Sequence, residues 1–299
     1  MPSTNSTLVR RATTLSTLAR ALVQALEARG LDSSSLLQRA QLDPVLIMTP
    51  GARVPMEAMT RLWSLAIEET GNPALGLEAA RYIQPASNHA LGLAWLASTT
   101  LREALARLER FHRVLSTGMS MRLRNSQARL ELLVEPADSG VLVAKEAIEA
   151  FFTITVVKCR MLMGEEYAPA AVYLMRKDPG LGDVYREALG VDPQFSSPAN
   201  TIFFPGDRLD DPLPAGDPEL AAELDKISER YLSTIDPKAF THSVRDILED
   251  IMPSGRPTLG SVARLMNRGE KTVQRALKTE GTSFQQILEQ TRMSLALTY

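Results

Sequence analysis

The sequence predicts a mainly α-helical protein: an α+β N-terminal domain followed by an all-α C-terminal module containing a helix-turn-helix. Three observations carry that prediction. Apolar residues recur at helical spacing in the first half, the middle switches to alternation, and the stretch after Pro237 returns to helical periodicity around a short turn. At 299 residues the chain also exceeds the roughly 250 at which a single core usually stops growing, so two cores are expected.

The elements follow in order. Leu15, Leu18, Leu22 and Leu26 lie at near-helical spacing, and Gly30 supplies a stop. MEAMTRLWSLAIEETG repeats the design between Pro55 and Gly71. TLREALARLERFHRVL places Leu101, Leu105, Leu108, Phe111 and Leu115 on one stripe, with Arg and Glu on the other side. MSMRLR and ARLELLVEP, separated by Asn125, Ser126 and Gln127, read as two strands and a turn. VAKEAIEAFFTITVVKCRMLMG reads as a long helix, against the strand propensity of its Thr-Ile-Thr-Val-Val core. AAVYLMR and NTIFF are strands on either side of the short helix VYREALG. Pro205, Pro212, Pro214 and Pro218 punctuate an acidic surface connection, and ELAAELDKISERYLST forms a connecting helix. The expected divisions are a flexible tail over residues 1–14, an α+β domain over 15–204, the connection and linker helix over 205–236, and the all-α module over 237–299.

Composition narrows the function classes. Apolar residues at 44% and charged residues at 23% are ordinary for a globular chain. A single cysteine, Cys159, excludes an internal disulfide and points to a reducing compartment. No window approaches the roughly 20 apolar residues that span a bilayer, and the N-terminus lacks a signal-peptide core, so a cytoplasmic protein with no membrane partner is expected. From Pro237 onward nine Lys/Arg face six Asp/Glu, whereas the rest of the chain is acidic; a basic terminal module suits a nucleic-acid reader.

No catalytic constellation is present, and an enzyme is not expected. His89, His112 and His242 have no ligand spacing with Cys159 or with paired carboxylates, so neither a metal nor a cofactor is called for. Cys159 reads as a buried small side chain, and Trp63 and Trp95 as core. Glu146 and Glu149, three apart, read as a solvated helix face in the absence of a nucleophile or base. Neither GxGxxG nor a Walker phosphate loop occurs. Arg122, Arg124 and Arg129 form a possible carboxylate-binding patch across the hairpin, with solvated strand arginines as the plainer account.

The segment SVARLMNRGEKTVQRALKTEGTSF carries the sharpest signal. A first helix from about Thr258 to Met266 needs a small residue where a second helix crosses it, and Ala263 fits. Asn267 falls in the turn, where a left-handed backbone is often needed. Gly269 caps the second helix, while Val273 and Leu277, one turn apart, anchor it. Glu270, Lys271, Thr272, Gln274, Arg275 and Lys278 are then the residues available to DNA, since Arg and Lys address guanine edges or phosphates and Gln can pair with adenine. Gly281 stops the helix, and Ser283 with Gln286 resembles a capping box for the next. The same spacing also occurs in helical bundles that touch no nucleic acid, and Glu270 would repel phosphate.

PTLGSVARLMNRGEKTVQRALKTEGTSFQQILEQTRMSLALTY resembles the first helix-turn-helix and linking helix of AraC/XylS-type bacterial transcription regulators, above all in TVQRALKTEGTSF and RMSLALTY. Met266-Asn267 and Gly269-Glu270 stand where that family usually has Leu-Gly and Ser-Pro. LGLAWLASTTLREALARLERFHRVL, YREALGVDPQF and NTIFFPGDRLDDPLPAGDPEL are similar to the subgroup with an arabinose-binding-type N-terminal domain, that of ornithine-utilisation and virulence regulators. The resemblance implies a sensor or dimerisation domain joined to a DNA-binding module, with promoter DNA, RNA polymerase, an unidentified small-molecule effector and a second copy of the chain as partners. It implies a transcription activator, with effector-binding residues unassigned. It also implies a second helix-turn-helix, and the sequence stops at Tyr299 within the linking helix. The alternative expectation is therefore a truncated effector-binding or dimerisation protein without productive DNA binding.

Overall fold

The computed structural model describes residues 12–126, 129–137, 140–236, 239–252, 255–266 and 268–296. They divide into two compact units, residues 1–228 and 229–299.

The first unit opens with β1 (Thr13–Leu15) and α1 (Ser16–Glu27), then α2 (Ser33–Ala40), α3 (Pro44–Met48), β2 (Arg53–Pro55) and α4 (Met56–Thr70). Asp32 and Asp43 each accept a hydrogen bond from the backbone N–H two residues ahead, capping α2 and α3. Thr13 and Thr14, expected in the flexible tail, are instead ordered by antiparallel pairing of β1 with β2. Arg53 fixes that pairing by donating to the Thr13 hydroxyl at 2.8 Å and to the Val114 carbonyl at 2.6 Å.

Next come α5 (Leu75–Ala79), two 3-10 turns (Ala80–Tyr82 and Pro85–Asn88), α6 (His89–Leu96) and α7 (Leu101–Leu115). The stripe on α7 is fully inward: Leu101, Leu105, Leu108, Phe111 and Leu115 are all buried. β3 (Met119–Ser126) and β4 (Arg129–Pro136) form the hairpin, and α8 (Lys145–Met163) follows. β5 (Ala171–Tyr173), α9 (Gly182–Leu189) and β6 (Asn200–Pro205) complete a four-stranded antiparallel sheet in the order β3-β4-β6-β5. Register puts Met121, Leu132, Ile202 and Val172 on the buried face. A slip by one residue would exchange them for the arginine-bearing face.

Helix α8 is the buried axis of this unit. Twelve of its residues are buried, among them Thr153 and Thr155, whose hydroxyls donate to the carbonyls of Glu149 and Phe151 one turn back. That removes the objection raised by its strand-forming composition. Its N-terminus lies so close to α5 that a Cβ on Gly76 would come within 2.3 Å of the Glu146 carbonyl oxygen. The proline-rich acidic segment runs over the surface but is anchored: Leu209 is buried, Leu213 N–H donates to the Thr99 carbonyl, and Arg102 holds Asp210 at 2.7 Å.

Helix α10 (Pro218–Ile235) crosses the division between the units. The second unit continues with α11 (Ala239–Ile251), α12 (Leu259–Leu265), α13 (Glu270–Thr279) and α14 (Phe284–Ala296). Its core gathers Val244 and Leu248 from α11, Val262 and Ala263 from α12, Val273 and Leu277 from α13, and Phe284, Ile287 and Leu288 from α14.

Candidate functional site

Two features stand out, one in each unit. In the second, α12, a four-residue turn and α13 make the helix-turn-helix. Thr258 and Ser261 form a reciprocal capping box at the start of α12, which the sequence reading did not single out. The turn closes with the Arg268 N–H donating to the Ala263 carbonyl at 2.8 Å. Asn267 lies outside the described residues. Gly269 occupies the N-cap of α13 with an extended backbone and no side-chain cap. Ala263, Val273 and Leu277 are all but inaccessible to solvent.

Burying those residues turns the opposite face of α13 outward. Lys271, Gln274, Arg275 and Lys278 are exposed, and Thr272 is half-buried at the edge. Glu270 is exposed too, yet a Cβ built on Gly260 would meet its Oε1 at 2.7 Å, so its carboxylate is turned back over the first turn of α12. There the helix dipole favours a negative charge. Glu280, at the far end of α13, accepts from the backbone N–H groups of Phe240 (3.0 Å) and Thr241 (2.7 Å) and from the Thr241 hydroxyl (2.6 Å), capping α11. Ser283 accepts a long bond from the Gln286 N–H at 3.4 Å, and the Gln286 side chain returns to the Ser283 hydroxyl rather than to its backbone.

In the first unit a cavity opens between α1, α4, α6, α7 and α8, with about 830 Å³ of empty space among its lining atoms, part of it open to solvent. Its wall is dominated by apolar side chains such as Leu18, Met59, Leu108, Phe151 and Ile154. Trp63 and Trp95, read from the sequence as core, are buried and also line it. Polar groups are few. Lys158 is 7% exposed. Its Nζ lies 6.0 Å from the centre of the Trp95 ring, and the Trp95 indole N–H donates to the Lys158 carbonyl at 3.2 Å. Burial pulls the Lys158 ammonium down to about 8. Among the described residues no carboxylate pairs with it.

Other residues noted from the sequence have structural settings. Cys159 is fully buried, and burial pushes its thiol up, away from reactivity. His112 is buried against the Glu109 carbonyl and lowered to about 4 by that burial, so it stays neutral. Among the described residues no three His, Cys, Asp or Glu side chains gather in a way that could hold a metal. Glu146 and Glu149 do not form a solvated face: both are buried, although Lys145 beside them at the start of α8 is exposed. Glu149 Oε1 meets Arg176 Nη1 at 2.6 Å, and the same guanidinium donates to the Pro73 carbonyl and the Tyr185 hydroxyl. Burial pushes the Glu149 carboxyl up to about 7 although Arg176 pulls the other way. Arg122, Arg124 and Arg129 share the outward face of the hairpin, but the register sets Glu131 directly across from Arg124 and weakens the patch as an anion site.

The profile of the family described as the arabinose-binding domain of AraC transcription regulators, N-terminal, matches residues 30–213, well over half the chain. The chain belongs to this family of AraC-type transcription regulators. A relative named ornithine utilization regulator, from Pseudomonas aeruginosa, is 27% identical over 285 residues, covering 94% of this chain and 83% of the relative. An HTH-type transcriptional regulator from Mycobacterium tuberculosis is 24% identical over 292 residues, covering 93% and 82%. Among solved structures, the transcriptional regulator CdpR from Pseudomonas aeruginosa shares the fold with a TM-score of 0.56 at 17% identity, covering 94% of this chain and 85% of that one. Like its relatives, this AraC-type protein is a regulator of transcription. No described helix is long and apolar enough to cross a membrane.

Proposed function

We propose that this AraC-type regulator reads promoter DNA with α13, activates transcription through RNA polymerase, and responds to a small molecule held in the N-terminal cavity, acting in the cytoplasm as a homodimer. The observation that carries the reading is the division of α13 into two faces. Val273 and Leu277 are sealed in the core, while Lys271, Gln274, Arg275 and Lys278 stand exposed along the opposite side. A major groove accepts such a helix, and these residue types match base edges and phosphates. Thr272, half-buried at the edge of that face, is read as a contact to the DNA backbone. Glu270, drawn toward Gly260, is an orienting residue at the turn rather than a phosphate neighbour. The cavity supports the effector half of the reading, because an apolar pocket with a few polar groups is the usual form of a small-molecule site.

Fluorescence anisotropy with promoter fragments tests it. Arg275→Ala should lower affinity for the preferred site by about 1–3 kcal/mol and flatten discrimination between sites. Lys278→Ala should weaken all duplexes alike and reduce the salt slope by about one. Equal affinity of the parent protein for every duplex would refute the reading.

A further inference from the structure

A buried ammonium without a counter-ion is costly, and most proteins avoid one. Among the described residues Lys158 is such a group, set in a wall that carries neither Asp nor Glu among its lining residues. Two more polar groups on that wall lack partners. Asn88 is 2% exposed and its side chain makes no hydrogen bond with the described residues, and the Trp63 indole N–H is buried without an acceptor. The rest of the wall is apolar apart from Thr14 and Thr155, whose hydroxyls already donate to the Leu115 and Phe151 carbonyls. This inventory rejects several ligand classes. A sugar would leave its hydroxyls unsatisfied against Leu18, Phe151 and Ile154, and a diamino acid would bring ammonium groups with no carboxylate to receive them.

We propose that the cavity binds a small monocarboxylate with an apolar body, its carboxylate on the Lys158 ammonium with Asn88 or Trp63 as a second donor, and its body along the apolar wall. The assignment rests on the reading of this unit as the effector domain and specifies the chemistry of the effector. An anion there supplies the counter-ion that the described residues do not, in a charge-assisted hydrogen bond of the strong kind. The neutral and cationic analogues of the same shape forgo that bond, which gives the site its selectivity.

The protein has two tryptophans and both line the cavity, so intrinsic fluorescence of the full chain reports occupancy directly. Decanoate, octanoate and 4-phenylbutanoate are titrated against decanol, decylamine and ornithine. A saturable change is expected with at least one monocarboxylate, and roughly tenfold to hundredfold weaker binding is expected for the three controls. Lys158→Met should lose the preference for carboxylate over alcohol, and Lys158→Arg should retain it. Decanol binding as tightly as decanoate, no saturable response to any monocarboxylate, or an unchanged preference in Lys158→Met would each overturn the assignment. The comparison of ligands needs no variant, so it holds even if a substitution impairs folding. Anisotropy on promoter DNA, with and without the bound monocarboxylate, separates the two ideas. Lys158-dependent binding that leaves DNA affinity unchanged sinks the effector reading and leaves the ligand assignment standing. DNA affinity that responds to decanol and ignores Lys158 does the reverse.

Discussion

Replacing Lys158 with methionine should make the unliganded protein more stable, although it removes a native side chain. Burial lowers the ammonium from 10.5 to about 8. At ~1.4 kcal/mol for each tenfold change in proton affinity, that displacement amounts to about 3 kcal/mol of destabilisation while the group is charged in the folded protein. Only 7% of the residue is exposed, so solvent screening takes little from this figure. Because the folded value lies below the unfolded one, the penalty is complete below about pH 8 and fades toward pH 10.5, where the unfolded chain also releases its proton. Methionine matches the length of the aliphatic stem and adapts to the cavity wall. Urea unfolding followed by tryptophan fluorescence reports on the first unit alone, since Trp63 and Trp95 both belong to it. The variant should be more stable than the parent by about 3 kcal/mol at pH 7, with the gap closing steadily between pH 8 and 10.5. A variant less stable than the parent at pH 7, or a gap that ignores pH, would refute the account of Lys158 as an uncompensated buried cation.

Three further perturbations test the frame around the cavity and the helix-turn-helix. Arg176→Met strands the buried Glu149 carboxylate and should destabilise the first unit by about 3–5 kcal/mol, whereas Glu149→Met with Arg176→Met should lose much less than the two single changes added together, as read by a double-mutant cycle in urea. Gly76→Ala drives a Cβ into the Glu146 carbonyl and should lower stability by about 3 kcal/mol in the same assay; an unchanged midpoint would mean α5 can shift freely. Glu280→Ala removes the acceptor that caps α11 and should cost the second unit about 1–2 kcal/mol, visible as a lower transition by circular dichroism without loss of helix content at low temperature.

The elements legible in the sequence are those whose own periodicity suffices. The α7 stripe repeats over fifteen residues, the hairpin alternates on both arms, and the helix-turn-helix combines a small crossing residue with two anchors and glycine stops. The pairing of β1 with β2 had no such signal. Three residues per strand are too few to show a period, and their order comes from Arg53 and from contacts far along the chain. The burial of Glu149 was hidden for a related reason, because the partner that makes it tolerable, Arg176, ends the expected strand AAVYLMR but lies in the loop beyond β5, which stops at Tyr173. The cavity was harder still. Its wall draws on residues from Thr14 to Lys158, so no window of sequence contains it, and Trp63 and Trp95 look the same in a sequence whether they fill a core or face a void.

Glu280 gives the helix-turn-helix unit a mechanical character. Three hydrogen bonds join the last turn of α13 to the first turn of α11, while Val273 and Leu277 bury the same helix in a core shared with α11, α12 and α14. Tilting α13 alone would break contacts at both of its ends and through its middle at once. The module is therefore expected to move as one piece, and if α13 reads DNA as proposed, a signal that alters that reading must displace or release it whole instead of reshaping its exposed face.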